Sequence, residues 1–167
     1  EDGPTLLYKT IAQNSNIKLD GYVEVGFDAV KAIVNAVGGV AIELTESEAA
    51  YLNATNYIRP AKYRNVKAGT HILNGAQALG YSRIRKQAKG ITPVTPNGKM
   101  DDYGRTWRQR NVINAIFNKA KGTSLPKLMD MAQTILSKYV TTDLNSQDII
   151  GYMKDVVMMG TMEIYQL

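Results

Sequence analysis

The apolar positions switch between strand and helix spacing over the first 44 residues. Residues 18–27 mostly alternate, which predicts a strand, and a helical spacing then begins at Asp28, whose side chain is suited to cap a helix. This helix is predicted to end at Gly38-Gly39, and residues 40–44 form a second short strand. This order of a strand, a helix that ends at glycine and a second strand is typical of an α/β fold. The residues that set the two periods are Tyr22, Val23, Val25 and Phe27, then Val30, Ile33, Val34 and Val37.

The rest of the chain is predicted to be mainly helical. Asn74 is a candidate cap of a short helix at 72–79, and residues 88–99, rich in Gly, Pro, Thr and Lys, indicate a mobile loop. A long helix begins at Asp101 or Asp102 and ends before Gly122. The other predicted elements are helices at 5–14, 46–52, 124–139 and 146–159, and a strand at 162–167.

Composition limits the classes of protein to consider. A chain of 167 residues that is 44% hydrophobic can bury one real core, so we expect a single domain over 1–167. There is no cysteine and only one histidine, His71, which excludes thiolate metal sites and disfavours multi-histidine metal sites and Ser-His-Asp catalysis. No apolar run reaches the roughly 20 residues of a membrane span. Because the chain starts at Glu1 without Met or an export signal, we interpret it as a fragment of a longer protein.

The positive charge is concentrated in residues 81–110. This stretch holds eight basic and two acidic residues, whereas the whole chain has a net charge of +5 and is otherwise nearly neutral. Such a concentration suggests a site that binds an anion. If residues 81–85 are extended, Arg83 and Arg85 leave on the same face and can together hold a phosphate or diphosphate. The alternative is two solvated surface arginines.

A second group lies on the long helix. Arg105, Arg108 and Gln109 share one helix face, in line with apolar positions that include Val112 and Ile113. Since a buried, unpaired charge is very costly, these arginines need a partner at the edge of the core. A bound anion would supply one and would also accept from free N–H groups at the helix start. The alternative is an internal network of salt bridges with carboxylates.

Asp102 has two compatible interpretations. It can be the N-cap of the long helix, or its carboxylate can orient Arg105 or one arginine of the first pair.

Several segments together resemble the LytR–CpsA–Psr family of bacterial cell-wall enzymes. The segments are V-N-A-V-G-G-V at 34–40, L-N-G-A-Q-A-L-G-Y-S-R-I-R at 73–85 and D-Y-G-R-T-W-R-Q-R at 102–110. The upstream L-D-G-Y-V-E-V at 19–25 also fits, and the resemblance covers roughly residues 1–121.

The resemblance implies a phosphotransferase that moves a glycopolymer, such as teichoic acid or capsule, from a polyprenyl-pyrophosphate carrier to peptidoglycan. Such proteins are extracytoplasmic and held at the membrane by an N-terminal segment. In them arginines bind the pyrophosphate, aspartates hold Mg2+ and an apolar tunnel takes the prenyl chain. By motif match the catalytic residues are Arg83, Arg85, Asp102 and Arg105, and the pyrophosphate-binding residues are Arg83, Arg85, Arg105, Arg108 and Gln109.

We therefore expect an α/β fold with a mixed β-sheet flanked by helices, an α-β-α sandwich whose N-terminal part is missing. That missing part would carry the Mg2+ ligands, so no metal ligand is assigned in this chain. Residues 86–100 make the separation of Arg85 from Asp102 longer than the family pattern and are interpreted as an inserted mobile loop.

The competing interpretation is a non-catalytic module of the cell envelope that binds polyanions through phosphate contacts. Nucleic acid is not the expected partner, because the arginines are confined to one helix end and one short segment instead of being spread along a surface.

Overall fold

The computed structural model describes residues 3–158. The strand predicted at 162–167 lies outside them. Seven helices, four strands and one short 3-10 turn are described. In chain order they are α1 (Pro4–Ser15), β1 (Val23–Val25), α2 (Phe27–Ala36), β2 (Val40–Leu44), α3 (Glu46–Ala54), the 3-10 turn (Ala61–Tyr63), β3 (Gly69–Leu73), α4 (Gly75–Ser82), α5 (Asp101–Lys121), α6 (Leu125–Tyr139), β4 (Val140–Thr142) and α7 (Ser146–Met158).

The strands form two separate antiparallel pairs within the described residues. In one pair β2 lies beside β3, with Val40 opposite Leu73. In the other β1 lies beside β4, with Val23 opposite Thr142, so the beginning of the chain is joined to its C-terminal region. The predicted α/β class is confirmed, and the helices pack around these two small sheets.

The core lies between the β2–β3 pair and helices α2, α3, α4 and α5. Along β2 the buried residues alternate with exposed ones: Val40, Ile42 and Leu44 are buried, as the strand period predicts. Full burial of each such side chain contributes about 1.5–3 kcal/mol. The apolar stripe of α5 is narrower than predicted, because Val112 is buried but Ile113 is 51% exposed.

Two predicted caps have different outcomes. Asn74 caps α4 as predicted, through a capping box in which its Oδ1 accepts from the Gln77 N–H at 3.0 Å. The predicted helix at 72–79 is too long at its start, because residues up to Leu73 belong to β3. Asp28 does not cap α2. The helix follows Gly26, and Asp28 lies in its first turn, paired with Lys31.

Helices α2 and α4 approach each other closely at Gly75. A Cβ at this position would overlap the Lys31 carbonyl oxygen. The Gly75 N–H donates to Asn35 Oδ1 at 2.8 Å. Two of the sequence motifs, at 34–40 and 73–85, therefore meet at this contact, where only a glycine fits without displacing the backbone.

Residues 86–100 form a loop that is anchored to α3. The Val94 N–H donates to Ser47 Oγ at 3.0 Å, and Thr45 Oγ1 donates to the Val94 carbonyl at 2.7 Å. Thr95 is buried. These contacts hold the loop at Val94. The predictions that the loop is mobile and that it is an insertion both stay predictions.

None of the helices within residues 3–158 combines the length and the apolar character needed to cross a membrane.

Candidate functional site

Asp102 joins two arginines at the start of α5. Its Oδ2 accepts from Arg85 Nη2 at 3.1 Å, and its Oδ1 lies 2.6 Å from Arg105 Nη2. The predicted orienting role of Asp102 therefore fits the geometry. The predicted N-cap does not, because Met100 precedes the helix and Asp102 lies inside its first turn. The three side chains are between about one-third and one-half exposed, so the cluster is open to a ligand.

The cluster retains unsatisfied polar atoms. Arg105 Nε and Asp102 Oδ1 are both buried without a hydrogen-bond partner among the described residues. The short Asp102–Arg105 contact is thus an ion pair that lacks the alignment of a hydrogen bond. An unsatisfied buried donor costs about 1–3 kcal/mol. A ligand with an acceptor oxygen at Arg105 Nε would remove that cost.

Arg83 stacks on two aromatic rings. Its guanidinium carbon lies 4.9 Å from the centre of the Phe27 ring and 5.8 Å from that of Tyr57. The condition that residues 81–85 are extended is not met: α4 continues to Ser82, and Arg83 itself has helical angles at the C-cap. The guanidinium of Arg83 makes no hydrogen bond or ion pair with the described residues, so its N–H groups are available to a ligand while the rings fix its plane.

Arg108 is a structural residue. Its side chain is fully buried, its Nε lies 2.7 Å from Glu48 Oε1, and its Nη1 and Nη2 donate to the carbonyls of Ile84 and Pro93. The prediction that Arg108 contacts a pyrophosphate is contradicted by this burial, because all three nitrogens are used inside the core. For Arg108 the alternative of an internal salt bridge is confirmed.

The Arg108 contacts help to position the cluster. By holding the Ile84 carbonyl, Arg108 fixes the residue between Arg83 and Arg85. By holding the Pro93 carbonyl, it fixes the loop that follows. Glu48 was missed from the sequence as the partner of Arg108. Its capping-box position after Thr45 was the available signal for a structural role in α3.

The remaining predicted residue, Gln109, is exposed one turn after Arg105, and its side chain forms no hydrogen bond with the described residues. The structure therefore brings Arg85, Asp102 and Arg105 into direct contact, and it leaves Arg83 and Gln109 outside those contacts. Phe27 and Tyr57, which carry Arg83, were not predicted, and nothing in the local sequence indicates them.

The residues do not form a metal site by themselves. Within residues 3–158 there is no group of three or more His, Cys, Asp or Glu side chains that could hold an ion. At the arginine cluster the contacting carboxylate is that of Asp102, and two arginines already use it.

Comparison with known proteins decides the family. The sequence profile described as "LytR_cpsA_psr family" matches residues 1–167. The chain belongs to the LytR_cpsA_psr family. This confirms the resemblance carried by the four motif segments and extends it over the whole sequence.

Two of the named relatives are described as teichoic acid transferases. The chain is 32% identical over 149 residues to the polyisoprenyl-teichoic acid–peptidoglycan teichoic acid transferase TagU of Enterococcus faecalis, covering 88% of this chain and 42% of the relative. It is 29% identical over 136 residues to TagV of Bacillus subtilis, a transferase of the same description, covering 81% and 31%. The chain thus spans less than half the length of these relatives.

Solved structures of the family share the fold. The crystal structure of B. subtilis TagV matches with a TM-score of 0.65 at 25% identity, over 93% of this chain and 53% of that chain. A structure described as TagT bound to LIIa-WTA matches with a TM-score of 0.66, also at 25% identity, over 93% and 52%.

Proposed function

We propose that this chain is part of a transferase that moves an anionic glycopolymer from a polyprenyl-pyrophosphate carrier to peptidoglycan. The observation that carries the proposal is the Arg85–Asp102–Arg105 cluster, open to solvent and with one buried donor unsatisfied, in a member of a family whose relatives are named as teichoic acid transferases. Arg83, Arg85, Arg105 and Gln109 bind the pyrophosphate, and Asp102 orients Arg85 and Arg105.

The geometry suits a diphosphate. Planar guanidiniums form several charge-assisted hydrogen bonds to phosphate oxygens. Asp102 holds Arg85 and Arg105 together, so less side-chain entropy is lost when the ligand arrives. The rings of Phe27 and Tyr57 likewise restrict the orientation of the Arg83 guanidinium before the ligand binds.

The proposed step is a phosphoryl transfer. A hydroxyl oxygen of the acceptor glycan attacks the phosphorus that bears the glycopolymer, and the bond from this phosphorus to the bridging oxygen breaks. The hydroxyl proton is lost to solvent or a base, and polyprenyl phosphate leaves. Negative charge grows on the bridging oxygen, and arginines held nearby stabilise it more than they stabilise the substrate.

Binding of Mg2+ and attachment to the membrane are proposed only because the family resemblance implies them. The described residues do not fit a magnesium site, and no step above depends on the ion. We propose that the protein acts outside the cytoplasmic membrane, where polyprenyl carriers and peptidoglycan meet.

The test is binding of a short-chain prenyl pyrophosphate at about 150 mM salt, measured by calorimetry together with the melting temperature. Replacing Arg105 with Ala should weaken binding at least tenfold without lowering the melting temperature, because the loss of a charge-assisted hydrogen bond costs about 1.5–3 kcal/mol. Lys127→Ala on α6 removes the same charge at an exposed position and should bind normally.

In the intact protein, polymer transfer should fail in the folded Arg105→Ala variant. Normal transfer by that variant would overturn the assignment. A polyanion-binding module would behave differently: it would bind many phosphate polymers with a steep dependence on salt and would not select the prenyl pyrophosphate.

A further inference from the structure

Helix α5 has a second face that lines a groove, opposite the arginine cluster. A groove of about 590 Å³ runs along it, lined by side chains that include Tyr103, Trp107, Asn111 and Asn114, with Lys99 from the preceding loop. At roughly 100° per residue, Trp107 points away from Arg105 by about 200°. The groove is therefore distinct from the proposed pyrophosphate site.

The groove combines exposed aromatic rings with amides. Tyr103 is 69% exposed, whereas Val112 of the same helix is buried in the core. Trp107 is half-buried, with its inner part against the core and its outer part lining the groove. Asn111 Nδ2 donates to the Tyr81 hydroxyl at 3.3 Å, which fixes the orientation of this amide.

Asn114 adds an unpartnered acceptor to the groove. Its Oδ1 is buried and has no hydrogen-bond partner among the described residues, although the side chain as a whole is only partly buried. Buried polar atoms in native proteins are nearly always satisfied by protein groups or by water, so this oxygen can accept from a water or from a ligand. The side chain lines the groove, where a bound molecule could supply the donor.

We propose that this groove binds a glycan chain. A sugar ring has an apolar face of C–H groups and a rim of hydroxyls. Tyr103 and Trp107 offer flat surfaces for the face, and the amides of Asn111 and Asn114 offer donors and acceptors for the hydroxyls. Lys99 adds a positive charge for an acidic substituent. A lipid would not use the amides, and a bare phosphate would not use the rings.

The position of the groove fits a transfer reaction. The source of the glycan follows from the proposed function, on which this part of the proposal rests. The two faces of α5 are separated by about one helix diameter, roughly 10 Å. A glycan in the groove therefore extends to within a few sugar units of a pyrophosphate held at Arg85 and Arg105. The peptidoglycan strand, which is a chain of sugar rings with hydroxyl and amide groups, has the required chemistry.

Trp107 makes the test direct, because it is the one tryptophan of the sequence. Its fluorescence is titrated with two probes, a β-1,4-linked N-acetylglucosamine oligomer for the peptidoglycan backbone and a glycerol-phosphate oligomer for the anionic polymer. We expect a saturable change with the N-acetylglucosamine oligomer. Asn114→Ala should weaken that binding about fivefold and Tyr103→Ala at least as much, whereas Asn14→Ala, on exposed α1, should have no effect.

Each outcome of the titration either supports or overturns the inference. Saturation with the N-acetylglucosamine oligomer supports the groove as a peptidoglycan site, whereas saturation with the glycerol-phosphate oligomer alone overturns the inference, because that oligomer has no sugar ring for Tyr103 and Trp107 to stack on. No change with either probe overturns the inference, as does a change that survives both groove substitutions. No prenyl ligand is present in this titration, so failure here leaves the pyrophosphate proposal standing, and failure of prenyl pyrophosphate binding leaves this one standing.

Discussion

Arg108 and Glu48 form an ion pair in the centre of the protein, with 2.7 Å between Nε and Oε1 and neither side chain exposed. The two residues are 60 positions apart, and they join α5 to α3. Glu48 also accepts from the Thr45 N–H through Oε2, and the Arg108 Nη groups hold two backbone carbonyls. Both charges are thus compensated on several sides, which is the condition for burying them at all.

Removal of the Glu48 charge should destabilise the fold strongly. In Glu48→Gln the guanidinium of Arg108 stays buried without a counter-charge, and breaking such a pair costs about 3–5 kcal/mol. Urea unfolding of the purified variant measures this loss. The matched control is Asp102→Asn, which breaks a half-exposed pair and should cost no more than about 1 kcal/mol. Equal losses in the two variants would contradict the structural role of Arg108.

A methyl group at Gly75 should separate α2 from α4. The Cβ of Gly75→Ala would overlap the Lys31 carbonyl oxygen, which is backbone and cannot turn away. We expect a loss of about 1–3 kcal/mol, as for other overpacked positions. Gly151→Ala on α7 is the control: its Cβ meets nothing within 4 Å among the described residues, so this variant should be as stable as the parent or slightly more. Thermal unfolding of both proteins distinguishes the two cases.

The sequence allowed the local parts of this structure to be predicted. Strand β2 and helix α5 were found because their apolar periods and end signals lie within one short segment. The contact of Asp102 with Arg105 could be predicted for the same reason, since residues three apart on a helix are neighbours.

The parts that depend on distant contacts could not be predicted. The pairing of Arg108 with Glu48 spans 60 residues, so the helix face alone could not show whether the partner was a ligand or a carboxylate. The stacking of Arg83 on Phe27 likewise depends on how α2 packs. Strand β3 was missed because Ile72 and Leu73 also fit the helical period that follows.

Alkaline pH should destabilise the protein through Tyr81. Burial, followed by the Glu48 carboxylate, raises the pKa of Tyr81 above its usual value of 10, although the Asn111 hydrogen bond and Arg108 partly offset this. Above pH 10 the unfolded chain releases the phenol proton and the folded chain keeps it, so the free energy of unfolding falls as pH rises. For one group the slope is about 1.4 kcal/mol per pH unit.

The variant Tyr81→Phe should remove that part of the slope between pH 10 and 11, at the cost of the hydrogen bond from Asn111. Tyr103→Phe, at an exposed position, should keep the parent slope. Urea unfolding at a series of pH values gives the slopes, and an unchanged slope in Tyr81→Phe would show that this phenol is not the group responsible.

The rings under Arg83 should contribute to ligand affinity although they need not contact the ligand. Phe27 is 61% exposed, which is unusual for a large apolar ring. Its ring centre lies 4.9 Å from the Arg83 guanidinium carbon, so the ring can hold Arg83 in place. An exposed cation–π contact contributes about 0.5–1 kcal/mol, so Phe27→Leu should weaken prenyl pyrophosphate binding about two- to fivefold. Phe27→Tyr keeps the ring and should bind like the parent. If calorimetry gives the Leu and Tyr variants the same affinity, Arg83 is positioned by something other than this ring.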